Sequence, residues 1–167
     1  PADELLQDVG EGLAPLFRER QIDFLIRAEQ AYVLADYDLL KTLLINLTDN
    51  SVKAGADRIE LTGQVNGGNY LICVRDNGCG MEQEELSRIT EAFYMVDKAR
   101  SRKQHGAGLG LALAEQAARL HGDRLAFESR AGAGTAVSFS LRMAAEPPSN
   151  KEEKGRSSGT SLREDNR

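Results

Sequence analysis

Asn46, Asn50 and Lys53 stand at intervals of four and three in a stretch that runs from Leu39 to Lys53 as L-L-K-T-L-L-I-N-L-T-D-N-S-V-K. Wound into a helix, that spacing stacks two amides and an ammonium on one face. The amides offer neutral oxygens to a hard cation, and the ammonium attracts an anion. An ordinary amphipathic helix with a polar side would show the same residues. Asparagine is a poor helix former, so two of them in a helix interior need a reason. A second group is Asp76-Asn-Gly-Cys-Gly80, which follows a run of apolar residues. An ionised Asp76 accepts hydrogen bonds and cannot donate them, so it selects a ligand edge that bears an amino group. Adenine has such a group where guanine has a carbonyl. Gly78 and Gly80 lack side chains, which would let a flat ligand approach the backbone. Asp-Asn-Gly is equally a common turn signal. The third group is Gly106-Ala-Gly-Leu-Gly-Leu111, entered through Lys98, Arg100, Arg102 and Lys103. Free backbone N–H groups at a glycine-rich helix start favour negative charge, so a basic loop feeding one reads as a phosphate site. It lacks the G-K-[ST] ending of a Walker loop and follows no strand, as a dinucleotide fingerprint would.

The elements that position these residues are legible from periodicity. Leu40, Leu43, Leu44 and Leu47 make the apolar stripe of the Asn46 helix, which should end near Gly55. Ala2 to Arg20 reads as an earlier helix, interrupted in pattern by Gly10, Gly12 and Pro15. Ile22 to Arg27 alternates as a half-buried strand does, and Tyr32-Val-Leu34 reads as a second, short strand. Arg58 to Val65 and Tyr70 to Arg75 are strands joined by the hairpin signal Asn66-Gly-Gly-Asn69. Glu82 to Ile89 reads as a short acidic helix. In the stretch Phe93 to Gly106, the part from Asp97 to Gln104 has no apolar period, and such a loop in a compact domain is often a lid. The Gly106 helix carries Leu111, Ala114 and Ala118 in one row, with Leu113, Ala117 and Leu120 beside it, and closes at His121-Gly122. Arg124 to Ser129 and Thr135 to Leu141 are two further alternating strands.

Composition bounds the function classes. The 167 residues, 41% hydrophobic and 28% charged, suit one domain of ordinary size. A net charge of −5 argues against a nucleic-acid partner. No run of about 18 to 20 apolar residues exists for a membrane span, and no signal peptide is evident, so direct membrane contact is not expected and a cytoplasmic location is. Cys73 and Cys79, six apart without a CxxC or a nearby histidine, suggest neither a metal site nor a disulfide framework. From Ala144 the chain turns to Pro, Ser, Lys, Glu and Arg with cancelling charges. A folded unit over 1–143 and a disordered polar tail over 144–167 are therefore expected.

Four signals in this order resemble a known family. N-L-T-D-N at Asn46–Asn50 is similar to the N box, D-N-G-C-G at Asp76–Gly80 to the first glycine box, Phe93-Tyr94 to the F box, and G-A-G-L-G-L at Gly106–Leu111 to the second glycine box. Together they resemble the catalytic ATP-binding domain of bacterial sensor histidine kinases, in the superfamily shared with gyrase, MutL and a heat-shock chaperone. The resemblance covers roughly Ala2 to Met143. It implies an α/β two-layer sandwich of the Bergerat type, a mixed sheet of about five strands backed by three helices, with ATP between the Asn46 helix and the lid. It further implies that Asn50 gives an oxygen to Mg2+, that Asn46 and Lys53 face the phosphates in catalytic positions, and that Asp76 holds the adenine amino group with Thr135 nearby through water. The backbone of Gly106, Ala107, Gly108, Leu109 and Gly110 would cradle the phosphate chain, and Gly78, Gly80, Phe93, Tyr94 and Arg100 would belong to the nucleotide site.

Three departures qualify this. Met95 follows Phe93-Tyr94 where an Arg is common, His105 stands where a Gly is common, and neither His105 nor His121 lies in an acceptor-helix context. The chain therefore reads as the catalytic part of a larger protein. Its γ-phosphoryl group would go to a histidine on a separate dimerisation segment, of the same parent or in trans, and through it indirectly to a response regulator. Relatives that hydrolyse ATP or phosphorylate serine carry Glu at the position of Asn46, which disfavours an ATPase or anti-sigma serine kinase. A regulatory nucleotide-binding module without transfer activity stays open.

Overall fold

The computed structural model describes residues 1–89 and 109–145. Their elements follow the order α1 (Ala2–Arg20), β1 (Asp23–Ala28), α2 (Tyr37–Lys53), β2 (Arg58–Asn66), β3 (Asn69–Asp76), α3 (Gln83–Leu86), α4 (Gly110–Leu120), β4 (Ala126–Ser129) and β5 (Thr135–Arg142). The strands form one sheet in the order β1-β2-β3-β5-β4. β1 pairs with β2 in parallel and every other pair is antiparallel, so the sheet is mixed. The three long helices form the second layer. α3 is a single turn closed by a capping box between Glu82 and Glu85, and it buries no residue. It is shorter than the helix to Ile89 that the acidic run suggested. Among the described residues, no helix is long and apolar enough to cross a membrane.

Alternation decides which sheet face is covered. Ile59 and Leu61 of β2, Tyr70, Ile72 and Val74 of β3, and Phe139 and Leu141 of β5 are buried under the helices. Glu60, Thr62, Gln64, Cys73 and Arg75 line the opposite, open face. Burial in that face pushes the Cys73 thiol up, although the neighbouring Arg75 pulls the other way. From the helix layer come Leu5, Leu6 and Val9 of α1 and Leu40, Leu43, Leu44 and Leu47 of α2. α4 buries Ala114, Ala117, Ala118 and Glu115 and packs the partly buried Leu111 against the core, while Leu113 and Leu120 of the expected apolar row are exposed.

One junction settled differently from the pattern, whereas α1 runs over Ala2–Arg20 as its pattern reads. Tyr32-Val-Leu34 is no strand: only Val33 makes an isolated bridge, to Met143, because the chain crosses the end of β5 there. Pro15 does not break α1, which continues as one helix to Arg20. The hairpin signal was sound: Gly67 and Gly68 both take positive φ, as a two-residue type I′ turn requires, and Asn66 pairs with Asn69.

One contact in the sheet interior is especially tight. Tyr70 is fully buried, and its hydroxyl donates to the Glu29 carbonyl at 2.8 Å. Burial pushes its phenol up to about 12. A Cβ on Gly63, the partner strand's residue beside it, would lie 2.4 Å from that hydroxyl oxygen. Gly63→Ala should therefore lower unfolding free energy by about 1–3 kcal/mol through overpacking. Tyr70→Phe should cost about 1–2 kcal/mol by leaving the Glu29 carbonyl unpaired. Because the phenol oxygen is the atom both changes act on, the double variant should lose less than the sum in denaturant titration. Additivity within about 0.5 kcal/mol would refute this packing.

Candidate functional site

α2 is the element that carries the polar face. Asp36 caps it by accepting the Leu39 N–H at 2.9 Å, and the apolar stripe fixes which side meets the core. Asn46, Asn50 and Lys53 then stand on successive turns, half-buried, half-buried and exposed. The Asn46 amide nitrogen donates back to the Thr42 carbonyl at 3.0 Å, which leaves the orientation of its oxygen set by its own helix. That oxygen faces α4: a Cβ on Gly110 would come within 3.0 Å of it. Lys53 pairs with Asp49 one turn back at 2.5 Å.

The packing of α4 brings its N-terminus to Asn46. At its other end the ring of His121 bridges the two helices. Its Nε2 accepts the Asp36 backbone N–H at 3.0 Å, and its Nδ1 lies 2.7 Å from the Ala117 carbonyl. Since a backbone N–H only donates, Nε2 carries the lone pair and Nδ1 the proton. The ten residue steps from Asp36 to Asn46 and the eleven from Gly110 to His121 each span about 15–17 Å of helix. The two helices therefore run antiparallel over that length. The helix starts at Gly110, the last glycine of the run, so Leu109 and Gly110 lie at its N-terminus, where backbone N–H groups are unpaired within the helix. Phe93, Tyr94, Arg100, Gly106, Ala107 and Gly108 lie outside the described residues, as do the whole basic loop and the tail from Glu146.

At the end of β3, the half-buried Asp76 is held by three donors. Its Oδ2 accepts from the Ser51 hydroxyl at 2.7 Å, and its Oδ1 accepts from the Gly78 N–H at 2.9 Å and the Thr135 N–H at 3.2 Å. The carboxylate thus sits where α2, the loop after β3 and the start of β5 meet. Thr135 is held in turn by Ser129, whose hydroxyl lies 2.9 Å from the Thr135 hydroxyl, bonds the Gly134 carbonyl at 3.0 Å and accepts the Met81 N–H at 2.9 Å. Asn77 fastens the loop to the start of β2, its oxygen accepting the N–H groups of Asp57 and Arg58 at 3.2 and 3.0 Å. Ser51, Asn77 and Ser129 escaped the sequence reading. Ser51 left one trace, a polar residue on the buried stripe of α2 where the period asks for an apolar one. Ser129 left none.

The glycines of this loop have a reason other than the one their sequence suggested. A Cβ on Gly80 would lie 2.0 Å from the Arg130 carbonyl oxygen, and one on Gly134 would lie 2.0 Å from that of Asp76. A Cβ on Gly78 would meet Ala54 at 2.8 Å. Protein atoms, backbone at Gly80 and Gly134 and Ala54 at Gly78, occupy the space that a side chain would need. Gly80 and Gly134 also take positive φ, which L side chains resist. The two loops are thereby stitched together around Asp76.

The donor chemistry also bears on a metal. Among the described residues no group of three His, Cys, Asp or Glu side chains could hold an ion. The neutral oxygen of Asn50 nevertheless fits Mg2+ that arrives with phosphates, because that ion takes one or two protein groups and keeps waters and phosphate oxygens.

Comparison with known proteins identifies the family. A family model described as histidine kinase-, DNA gyrase B- and HSP90-like ATPase matches residues 35–145. The sensor histidine kinase YkoH of Bacillus subtilis is 39% identical over 121 residues, which is 71% of this chain and 27% of YkoH. The sensor-like histidine kinase SenX3 of Mycolicibacterium smegmatis is 35% identical over 138 residues, 80% of this chain and 36% of SenX3. This chain therefore spans little more than a third of such curated relatives at most. Full-length ShkA in complex with AMPPNP superposes with a TM-score of 0.75 at 28% identity, over 87% of this chain and 31% of ShkA. The nucleotide-free catalytic domain of the histidine kinase ThkA shares the fold, with a TM-score of 0.72 at 24% identity over 84% of this chain and 92% of that domain. The matched residues run from the N-cap of α2 through β5 and take in α2, α4 and the junction around Asp76: this chain belongs to the histidine kinase-, DNA gyrase B- and HSP90-like ATPase family.

Proposed function

We propose that this chain is the ATP-binding catalytic domain of a sensor histidine kinase, which donates the γ-phosphoryl group of ATP to a histidine on a dimerisation segment outside this chain. A response regulator would receive it afterwards, and the cytoplasm would be the site of action. The observation that carries the reading is the Asp76 carboxylate, oriented by three donors at the junction of α2, β3 and β5. In this role Asp76 accepts the adenine amino group, with Thr135 beside it through water. Gly78 and Gly80 shape that end of the cleft. Leu109 and Gly110, with Gly106, Ala107 and Gly108 before them, turn backbone N–H groups to the phosphates. Phe93, Tyr94 and Arg100 are proposed as further nucleotide-site residues. Asn46 and Lys53 face the phosphates from α2, and Asn50 gives one oxygen to Mg2+, which when bound neutralises phosphate charge.

Phosphoryl transfer asks the protein mainly for positioning and charge neutralisation. Asn46 has no useful basicity, and its amide is tied to the Thr42 carbonyl. A histidine acceptor brings its own nucleophilic nitrogen and has no need of a strong base here. That favours a kinase over a hydrolase.

Three measurements test the reading. By calorimetry, ADP should bind about tenfold to a hundredfold more tightly than GDP, the range expected for one hydrogen bond to a buried charge; equal affinities would refute the role of Asp76. Asn50→Ala should weaken binding of a Mg2+–ATP analogue while binding in EDTA stays at the parent level, with near-native melting as control. If the variant binds the Mg2+ complex as tightly as the parent, the asparagines of α2 are an ordinary polar face. Finally, incubation with labelled ATP and a separately produced acceptor-helix fragment should yield an acid-labile, base-stable phosphoprotein. Tight nucleotide binding without any label in the fragment would identify a regulatory module instead.

A further inference from the structure

The polar face of α2 holds one residue that the proposed phosphoryl transfer does not use. Asp49 stands three residues after Asn46, one before Asn50 and four before Lys53, and it is the one acidic residue between Asp38 and Asp57. At those spacings it adjoins Asn46 and Lys53 on neighbouring turns of the helix. Its Oδ2 pairs with the Lys53 ammonium at 2.5 Å, with the lysine side chain 37% and the aspartate side chain 47% exposed. So exposed a pair contributes little to stability. Its larger effect is on the charge that α2 presents to a ligand.

Together Asp49 and Lys53 carry no net charge, so Asp49 cancels the cation that this face would offer to phosphates. A carboxylate close to a phosphate chain repels it, whereas a divalent cation attracts the carboxylate. A nucleotide that arrives without metal therefore meets a neutralised lysine and a negative side chain. One that arrives with Mg2+ brings two positive charges to Asn50, the residue next to Asp49, whose own oxygen is neutral. We propose that Asp49 is a specificity-determining residue that makes tight nucleotide binding conditional on Mg2+. Its charge disfavours the metal-free polyphosphate; with the ion present that charge is offset, and the Lys53 ammonium is left to the phosphates. Asp49 needs no direct bond to an ion that keeps several waters of its own. This rests on the reading of α2 as the face for phosphate and metal.

The experiment measures binding of a non-hydrolysable ATP analogue by calorimetry, with Mg2+ and in EDTA, for the parent, Asp49→Asn and Asp49→Glu. Thermal melting is the fold control, and adenosine serves as a ligand without phosphates. Asparagine matches aspartate in shape and the pair is exposed, so Asp49→Asn should fold. It should tighten binding in EDTA about tenfold, the scale of one charge acting on a nearby anion at a protein surface. Binding of the Mg2+ complex should stay at the parent affinity or weaken, so the Mg2+-to-EDTA ratio should narrow by about tenfold. Asp49→Glu, which keeps the charge, should hold the parent ratio, and adenosine should bind all three proteins alike. If Asp49→Asn leaves the ratio unchanged, or shifts both affinities by one common factor, the ion pair serves the helix alone and the proposal is overturned. An adenosine affinity that moves as far as that of the analogue overturns it as well, because the effect is then not on phosphates. If the parent itself binds the analogue equally with Mg2+ and in EDTA, the reading of α2 as the metal face has failed and the role of Asp49 falls with it.

Discussion

A carboxylate at a strand end is stable and oriented only if the chain brings donors to it, and here those donors come from three separate parts of the fold. Ser51 is on α2, Gly78 on the loop after β3, and Thr135 on the first residue of β5. Satisfying Asp76 therefore requires the α2 layer to sit on the sheet at one height and β5 to pair with β3 in one register. That register places Asp76 opposite Thr135. The close approaches at Gly80 and Gly134 follow, because two loops that both serve one side chain must pass within backbone contact. What looks like an open, ligand-ready loop in the sequence is a packed junction whose free capacity is concentrated on one oxygen.

The other end of the cleft depends on helix packing. α4 meets α2 through alanines and has a glycine against Asn46, so the helices lie close together. The His121 bridge to the α2 N-cap holds the far end of the pair. With one end pinned and the other in contact, the start of α4 is aimed along the polar face that carries Asn46, Asn50 and Lys53. Asn46, against the start of α4, and Ser51, bonded to Asp76, are thus joined through one helix.

This division of labour suits a domain whose chemistry is supplied largely by its substrates. The side chains of the site are amides, a lysine and an aspartate, none of them an obvious base. They recognise and align, and family membership agrees with such a role. In the proposed phosphoryl transfer, the strong covalent and ionic contributions would come from the nucleotide, its metal and the acceptor.

Local physics was enough to write much of this architecture from the sequence. The 3.6-residue stripe of Leu40, Leu43, Leu44 and Leu47 marks α2, strict alternation marks β2, β3 and β5, and two consecutive glycines specify the hairpin turn. Those signals involve neighbours a turn or a pleat apart, so one stretch of chain contains them whole. The same holds for Asn46, Asn50, Lys53, Asp76 and Thr135 as candidates, whose types and spacing are local facts. The tertiary structure alone decided what surrounds them. Ser51 reaches Asp76 across 25 residues, Thr135 reaches it across 59, and Asp36 reaches His121 across 85. The strand expected at Tyr32-Val-Leu34 failed for the same reason, since a strand is made by its partner and the partner there is a single residue, Met143. A side chain's type announces what it can bond; only the fold brings the partner within 3 Å and so decides which of its bonding positions are left for a ligand.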